Sequence, residues 1–465
     1  MMVPSSFAHL TLNVPTVPTT FDGDVRSFLS PDTVSERELL AGTSPAQHTS
    51  MPTALTYPTK GKELLPHLFN ELAREVCGSP VRGKPLFSEI HLDHPTKAAE
   101  HCDKLLHLVQ RSRDFAQSIK TVYITEHLTT DDGASCSWLT TENSLPQLLS
   151  LLESLSALSI SCSSGYLEWR TLSTELSTSF SSLFTKVTSL QLRSVEGVPI
   201  APMLFSRLEH LDFDDVTPGE MHPLDLTFFD QSHESEKNNL SSLSVINSLS
   251  AMKELFDCLS HPNARLDLSL LHSLEIGFCK EEEMAGACLA LSAVSQSVRH
   301  LGIKHVLPTA FDSREFPLKS LNLHQFPHLL SLSHSIDYLY ITYPSENDHD
   351  PLTSLLNQLR QISNESEIQS FNLDLNLTGI TADTDSITSD VEVEEIDTAL
   401  SKLCHNEIWG HLGQTLARFP ALEQVSILVE MRDACAGMYA KFCLGLQDSL
   451  YDLSGSGIRV MFTIA

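Results

Sequence analysis

Basic residues are scarce in this chain. Its 465 residues hold 30 Lys and Arg against 59 Asp and Glu, a formal net charge of -29. Such a surface repels phosphate backbones, so nucleic-acid binding is not expected. It also disfavours docking on anionic lipid. Aromatic residues are few at 7%, with three tryptophans. The ten cysteines include no C-x-x-C pair and no regular spacing. Reduced thiols, and hence cytoplasm or nucleus, are the default expectation. No 18-residue apolar run occurs, so no membrane-spanning helix is expected. The first residues, "MMVPSSFAHLTLNVPTVPTTF", lack the basic start and unbroken apolar stretch of a secretory signal.

Several chemical motifs are nearly present, and each fails for a physical reason. "GSPVRGKP" at 78–85 ends in Pro85 where a phosphate-binding loop needs Ser or Thr to ligate Mg²⁺. It also follows a helical pattern and precedes a strand, the reverse of what that loop requires. "LSGSGI" lacks the first glycine of a nucleophile elbow, so Ser456 reads as a turn residue. His324, His328 and His334 are close in sequence, but no further ligand stands at zinc-like spacing. They read as surface and turn histidines. Trp169 and Trp409 read as core. No catalytic residue, metal site or cofactor is expected.

What is present is a recurring beat, apolar-x-x-apolar-x-apolar. It starts at Phe87, Ile119, Leu155, Val187, Leu208, Leu240, Leu271, Val298, Leu318, Ile336, Ile368 and Leu422. Intervals run from 18 to 36 residues, with one of 54, and "GIRVMFTIA" closes the chain as a strand-like run. The number of matches decides nothing, because apolar residues are common enough to produce them by chance. The residues between them decide more. They are mostly polar, giving the period of two of a strand with one buried face. Most spacers have helical periodicity, among them "KAAEHCDKLLHLVQRSRDFAQ", "SLPQLLSLLESL", "SAMKELFDCLS", "EEEMAGACLALSAVSQ" and "PLTSLLNQLRQIS". One strand-helix unit cannot bury its own apolar face, whereas a stack of them can. The expected fold is α/β, a solenoid of about twelve irregular repeats with one curved parallel sheet and outer helices.

The beat resembles the core of the leucine-rich-repeat family, L-x-x-L-x-L-x-x-N/C-x-L, in irregular form. Only Cys279 and Asn376 meet its Asn/Cys position, so the turns after the strands must be closed by other means. The layout further resembles fungal F-box/leucine-rich-repeat-like proteins. The residues that carry this likeness are "LFSEIHLD" at 86–93, then "SIKTVYI", "LSALSI", "LEWRTLS" and "VTSLQLRSV". The resemblance covers roughly residues 86–465. It implies a substrate-recognition part of a ubiquitin-ligase receptor, with an N-terminal module that holds the ligase adaptor. "LLPHLFNELAREV" at 64–76 echoes the first helix of that module, so Leu65, Pro66, Leu68 and Leu72 are its candidate adaptor contacts. Ten residues separate Val76 from Phe87, too few for the module's remaining helices.

Three segments follow. Residues 1–60 hold seven of the 23 prolines and no sustained apolar period, and are expected as a disordered arm. Residues 61–85 are expected as an amphipathic helix, a possible F-box remnant. Residues 86–465 form the repeat domain. Within it, residues 361–401 contain ten acids and no Lys or Arg, so an inserted acidic loop is expected at about 378–397.

The expected function is a non-catalytic protein-interaction scaffold, monomeric, holding a protein target on the concave side of its strands. If Leu339 and Ile341 face the core, Tyr338 and Tyr340 point together to the concave side. His300 and Lys304, and Asn322 and His324, would join them from neighbouring strands as partner contacts. A repeat scaffold unconnected with ubiquitin is the alternative. An enzyme on a doubly wound α/β fold is the competing class. Strand order separates the classes: sequential order suits a scaffold, and a reversal with a crevice at the switch point suits an enzyme.

Overall fold

The computed structural model describes residues 10–11, 88–93, 97–131, 134–219, 237–259, 264–278, 291–305, 323–337, 351–363, 365–377, 401, 403, 407–430, 436–450, 453 and 456–464. All of them belong to one of the chain's two units, Met1–Leu12 with Ala73–Ala465. The expected disordered arm (apart from Leu10 and Thr11), the 61–85 helix and the acidic loop lie outside the described residues.

The fold is α/β, built on one large parallel sheet. Its main strands are β1 (Glu89–Leu92), β2 (Thr121–Glu126), β3 (Ala157–Cys162), β4 (Ser189–Val198), β5 (His210–Pro218) and β6 (Ser242–Ile246). They continue with β7 (Ser273–Phe278), β8 (His300–His305), β9 (Ser331–Asp337), β10 (Ser370–Asn376), β11 (Gln424–Glu430) and β12 (Arg459–Ile464). Every one of these strands pairs in parallel with the strand before it and the strand after it in the chain. Among the described residues the order does not reverse and the sheet does not close on itself. Leu167–Glu168 adds a short parallel pairing to β4, and Leu10–Thr11 pairs antiparallel with β12.

The beat explains this register. Its second apolar residue forms one row across the sheet: Val122, Leu158, Leu190, Leu211, Leu243, Leu274, Leu301, Leu332, Phe371 and Val425. All are buried. The third forms the next row, from Ile124 and Ile160 through Phe213 and Ile303 to Leu373 and Ile427, also buried. The first residue sits before each strand and is buried as well, as in Ile119, Val187, Leu208, Leu240 and Val298. Each large apolar side chain so placed contributes about 1.5–3 kcal/mol. A slip of one residue in any strand would turn its whole apolar set to the other face.

The spacers are helical where their periodicity is. Ala98–Arg111 buries Ala98, Cys102, Leu105, Leu106 and Val109 on one stripe. It breaks at Ser112, whose hydroxyl accepts the Phe115 N–H and so starts Arg113–Ser118. Ser173 caps Thr174–Phe184 in the same way through Leu176 N–H. Leu145–Leu151, Leu249–Leu259 and Pro351–Gln361 coincide with expected helices. Trp409 is fully buried, and Trp169 packs on Phe180 and Phe184 with ring centroids 5.6 Å apart.

Of the beats expected at Leu318 and Ile336, residues 318–322 and 338–341 lie outside the described residues. Ile336 belongs to β9, and Leu323 lies in a 3-10 turn, Leu323–Gln325. The beat that the sheet uses begins at Leu329 and runs Leu329, Leu332, His334. A histidine in the third position conceals it from an apolar search. His334 is therefore not a surface residue: it is 0% exposed, in register with Ile303 and Leu373. His324 and His328 are exposed, as expected.

Burial alternates with a period of two along β2, β3, β10 and β11. One face of the sheet is thus covered and the other open. In β6 the alternation lapses because Ile246, on the open face, lies over Gly277 of β7. A Cβ at Gly277 would stand 2.8 Å from Ile246 Cδ1 and 3.0 Å from its Cγ2. Gly277→Ala is expected to cost about 1–2 kcal/mol by crowding, read from the urea midpoint. Ile246→Val, which removes Cδ1, should recover part of that loss in the double variant. Additive losses would contradict the packing account.

Candidate functional site

The open face is the surface available for function. Its residues are those between the apolar positions of each beat, so each lateral row takes one residue per strand. The central row runs His91, Tyr123, Ser159, Gln191, Asp212, Ser244, Glu275, Gly302, Ser333, Asn372 and Ser426 from β1 to β11.

The first seven of these form a strip of neighbouring side chains. The His91 and Tyr123 rings stack with centroids 4.5 Å apart and planes 10° from parallel. Ser159 Oγ donates to Gln191 Oε1 at 3.0 Å, and Gln191 Nε2 donates to Asp212 Oδ2 at 2.8 Å. Ser244 Oγ donates to Glu275 Oε2 at 3.1 Å and is also within hydrogen-bonding reach of Asp212. The Ser244 hydroxyl proton thus goes to Glu275, and Asp212 takes its donor from Gln191. Burial pushes the Asp212 carboxyl above its ordinary range, against the pull of Gln191 and Ser244. In the next row, Arg193 Nε meets Asp214 Oδ2 at 2.7 Å. From β7 onward the face includes several small residues, Gly277, Gly302, Ser331, Ser333 and Ser335, and Ser370 Oγ donates to Ser331 Oγ at 2.9 Å.

Of the residues expected to meet a partner, His300 and Lys304 stand on the open face of β8, in register with Ser273 and Gly277 on one side and Ser331 and Ser335 on the other. His324 is exposed in the Leu323–Gln325 turn and does not join their rows. Tyr338, Tyr340 and Asn322 lie outside the described residues, as do Leu65, Pro66, Leu68 and Leu72. The Asp212 strip was missed, although its signal is in the sequence. Writing the beats one beneath another, and reading down the residue between the second and third apolar positions, lays out the row.

At the far ends of β1 to β3 stands a constellation that mimics chemistry. His127 Nδ1 lies 2.7 Å from Ser163 Oγ, and its Nε2 meets the Asp93 carbonyl oxygen. A serine beside a histidine is the pairing of a nucleophile and its base. Here both residues hold the ninth position of successive beats, where the repeat consensus has Asn. Ser163 N–H also donates to the Glu126 carbonyl at 2.9 Å. Ser248, at the ninth position of its own beat, is fully buried. It accepts Val216 N–H at 2.8 Å and donates to Ile246 O at 2.7 Å. These side chains tie each turn to its neighbour.

Among the described residues no group of three or more His, Cys, Asp or Glu is placed to hold a metal. Cys102, Cys162 and Cys258 are buried thiols, and burial raises all three above the ordinary thiol range. No described helix is long and apolar enough to cross a membrane. No known protein family matches the chain, and no curated protein matches it.

Proposed function

We propose that this protein is a non-catalytic interaction scaffold, an irregular leucine-rich-repeat-like solenoid that holds a protein partner on the open face of its sheet. The observation that supports this reading best is the strand order. Twelve parallel strands in unbroken chain sequence leave one covered face and one open face, with no reversal to create a switch-point crevice. The polar, hydrogen-bonded rows of that face suit contact with another polypeptide. The His127, Ser163 and Ser248 ties, at the position where the repeat consensus has Asn, support the repeat reading. The proposed surface includes His300 and Lys304. Tyr338, Tyr340, Asn322 and His324 belong to the same proposal as partner contacts. By the resemblance of its beats, the role proposed is that of a substrate receptor for an F-box-type ubiquitin ligase, in cytoplasm or nucleus, with residues 61–85 meeting the adaptor.

The test is affinity capture from lysate with the full chain, compared with a Leu65→Ala, Leu68→Ala, Leu72→Ala variant. Adaptor and cullin captured by the wild type and lost from the variant support the receptor role. Partners captured equally by both, with no adaptor, leave a repeat scaffold without a ubiquitin connection. Turnover of a small-molecule substrate by the pure protein would overturn the scaffold reading itself.

A further inference from the structure

We infer that the strip from His91 to Glu275 on the open face is a docking track for an extended, arginine-bearing segment of a protein partner. The inference rests on the scaffold reading and names the chemistry of what that scaffold holds.

The strip is laid out for cations. Asp212 and Glu275 flank Ser244, and each takes a donor, Gln191 Nε2 on Asp212 at 2.8 Å and Ser244 Oγ on Glu275 at 3.1 Å. Each carboxylate offers about four acceptor sites, so unused acceptors face the open side. Asp212 is half-buried between its neighbours, where a guanidinium arriving from outside would relieve the burial of its charge. Arg193 reaches Asp212 through its charge alone, because its guanidinium pairs with Asp214. At the other end, the His91 and Tyr123 rings stack on each other, and each keeps one outer face of the kind that planar guanidinium groups stack on. The excess of acids over bases in the whole chain draws the same class of partner.

The spacing sets the occupant's form. Adjacent strands are about 4.8 Å apart. Tyr123 on β2 is then about 14 Å from Asp212 on β5, and Asp212 about 10 Å from Glu275 on β7. An extended chain advances about 3.3 Å per residue and turns alternate side chains to one face. Arginines at i, i+4 and i+6 share a face and, with the reach of their long side chains, meet all three positions. The serines between offer no bulk to keep such a backbone away.

The experiment measures binding of a labelled synthetic peptide with arginines at i, i+4 and i+6 to the full chain. Versions with alanine or glutamate at those positions are run beside it. Selective binding of the arginine peptide, weakening as salt rises, is expected. Asp212→Asn with Glu275→Gln should weaken it at least tenfold, and His91→Ala with Tyr123→Ala severalfold. Glu153→Gln with Glu365→Gln removes the same charge from exposed turns and should leave binding unchanged. Equal loss in that control would reduce the effect to bulk charge and overturn the track. Unchanged binding by the Asp212/Glu275 variant would overturn it as well. Should that variant fail to fold, Asp212→Glu keeps the charge while altering the fit, and full binding by it together with full binding by the His91/Tyr123 variant would sink the proposal. A partner captured by the wild-type scaffold, undisplaced by the arginine peptide, would overturn the track while leaving the scaffold reading intact.

Discussion

Between pH 7.5 and pH 4.5, His334→Leu is expected to lose markedly less stability than the wild type. The difference should reach about 2.5 kcal/mol. His334 takes the third apolar position of its beat, with Ile303 and Leu373 as its register neighbours. It is 0% exposed, and its Nδ1 donates to the Ile303 carbonyl at 3.1 Å. Burial lowers its pKa to about 4, and the Ile303 hydrogen bond only partly opposes this. The unfolded chain protonates an ordinary histidine near pH 6.5, whereas the folded chain resists until about pH 4. Below pH 6.5 the unfolded state therefore binds the extra proton. Stability falls as pH drops from there toward 4 and then levels. Leucine at 334 removes this linkage, whatever it does to stability at neutral pH. Urea midpoints of both proteins across the range give the comparison, and carboxylates common to both cancel. Parallel stability-pH curves would show that the ring is not held neutral in the core.

The same residue marks where the sequence stopped being legible. Ten beats, from Phe87 to Val298 and then Ile368 and Leu422, coincide with strands because a buried row needs an apolar residue on every strand. The closing run does so as β12. At β9 a histidine occupies that row, so a search for apolar thirds passed over Leu329 and settled on Leu318 and Ile336 instead. The helices were legible where one apolar stripe spans several turns, as in Ala98–Arg111. Side-chain bridges carry no such period. His127, Ser163 and Ser248 tie consecutive turns through contacts 32 to 36 residues apart in sequence. A reader of the sequence sees there only that asparagine is lacking. The Asp212 strip falls between these cases: the row was readable, but its hydrogen bonds depend on which rotamers neighbouring strands impose.

Glu126→Ala is expected to cost about 3 kcal/mol or more, among the largest losses available from a single polar side chain in this fold. Glu126 ends β2 on the covered side and is 0% exposed. Its carboxylate accepts from the His127 N–H at 3.0 Å, the Leu139 N–H at 3.0 Å, the Trp138 N–H at 3.3 Å and the Ser137 hydroxyl. It thereby starts the one-turn helix Trp138–Thr141, whose first amides have no intrahelical acceptors. Trp138 is held from the other side by its indole N–H on the Thr125 carbonyl at 3.1 Å. Removing the carboxylate strands several donors in a dry site, and the loss of each is felt separately. Glu126→Gln keeps the shape and one acceptor oxygen, so it should cost clearly less than alanine. Urea unfolding of the two variants orders them. A loss below about 1 kcal/mol for alanine would mean that water replaces the carboxylate and that the site is wetter than its burial implies.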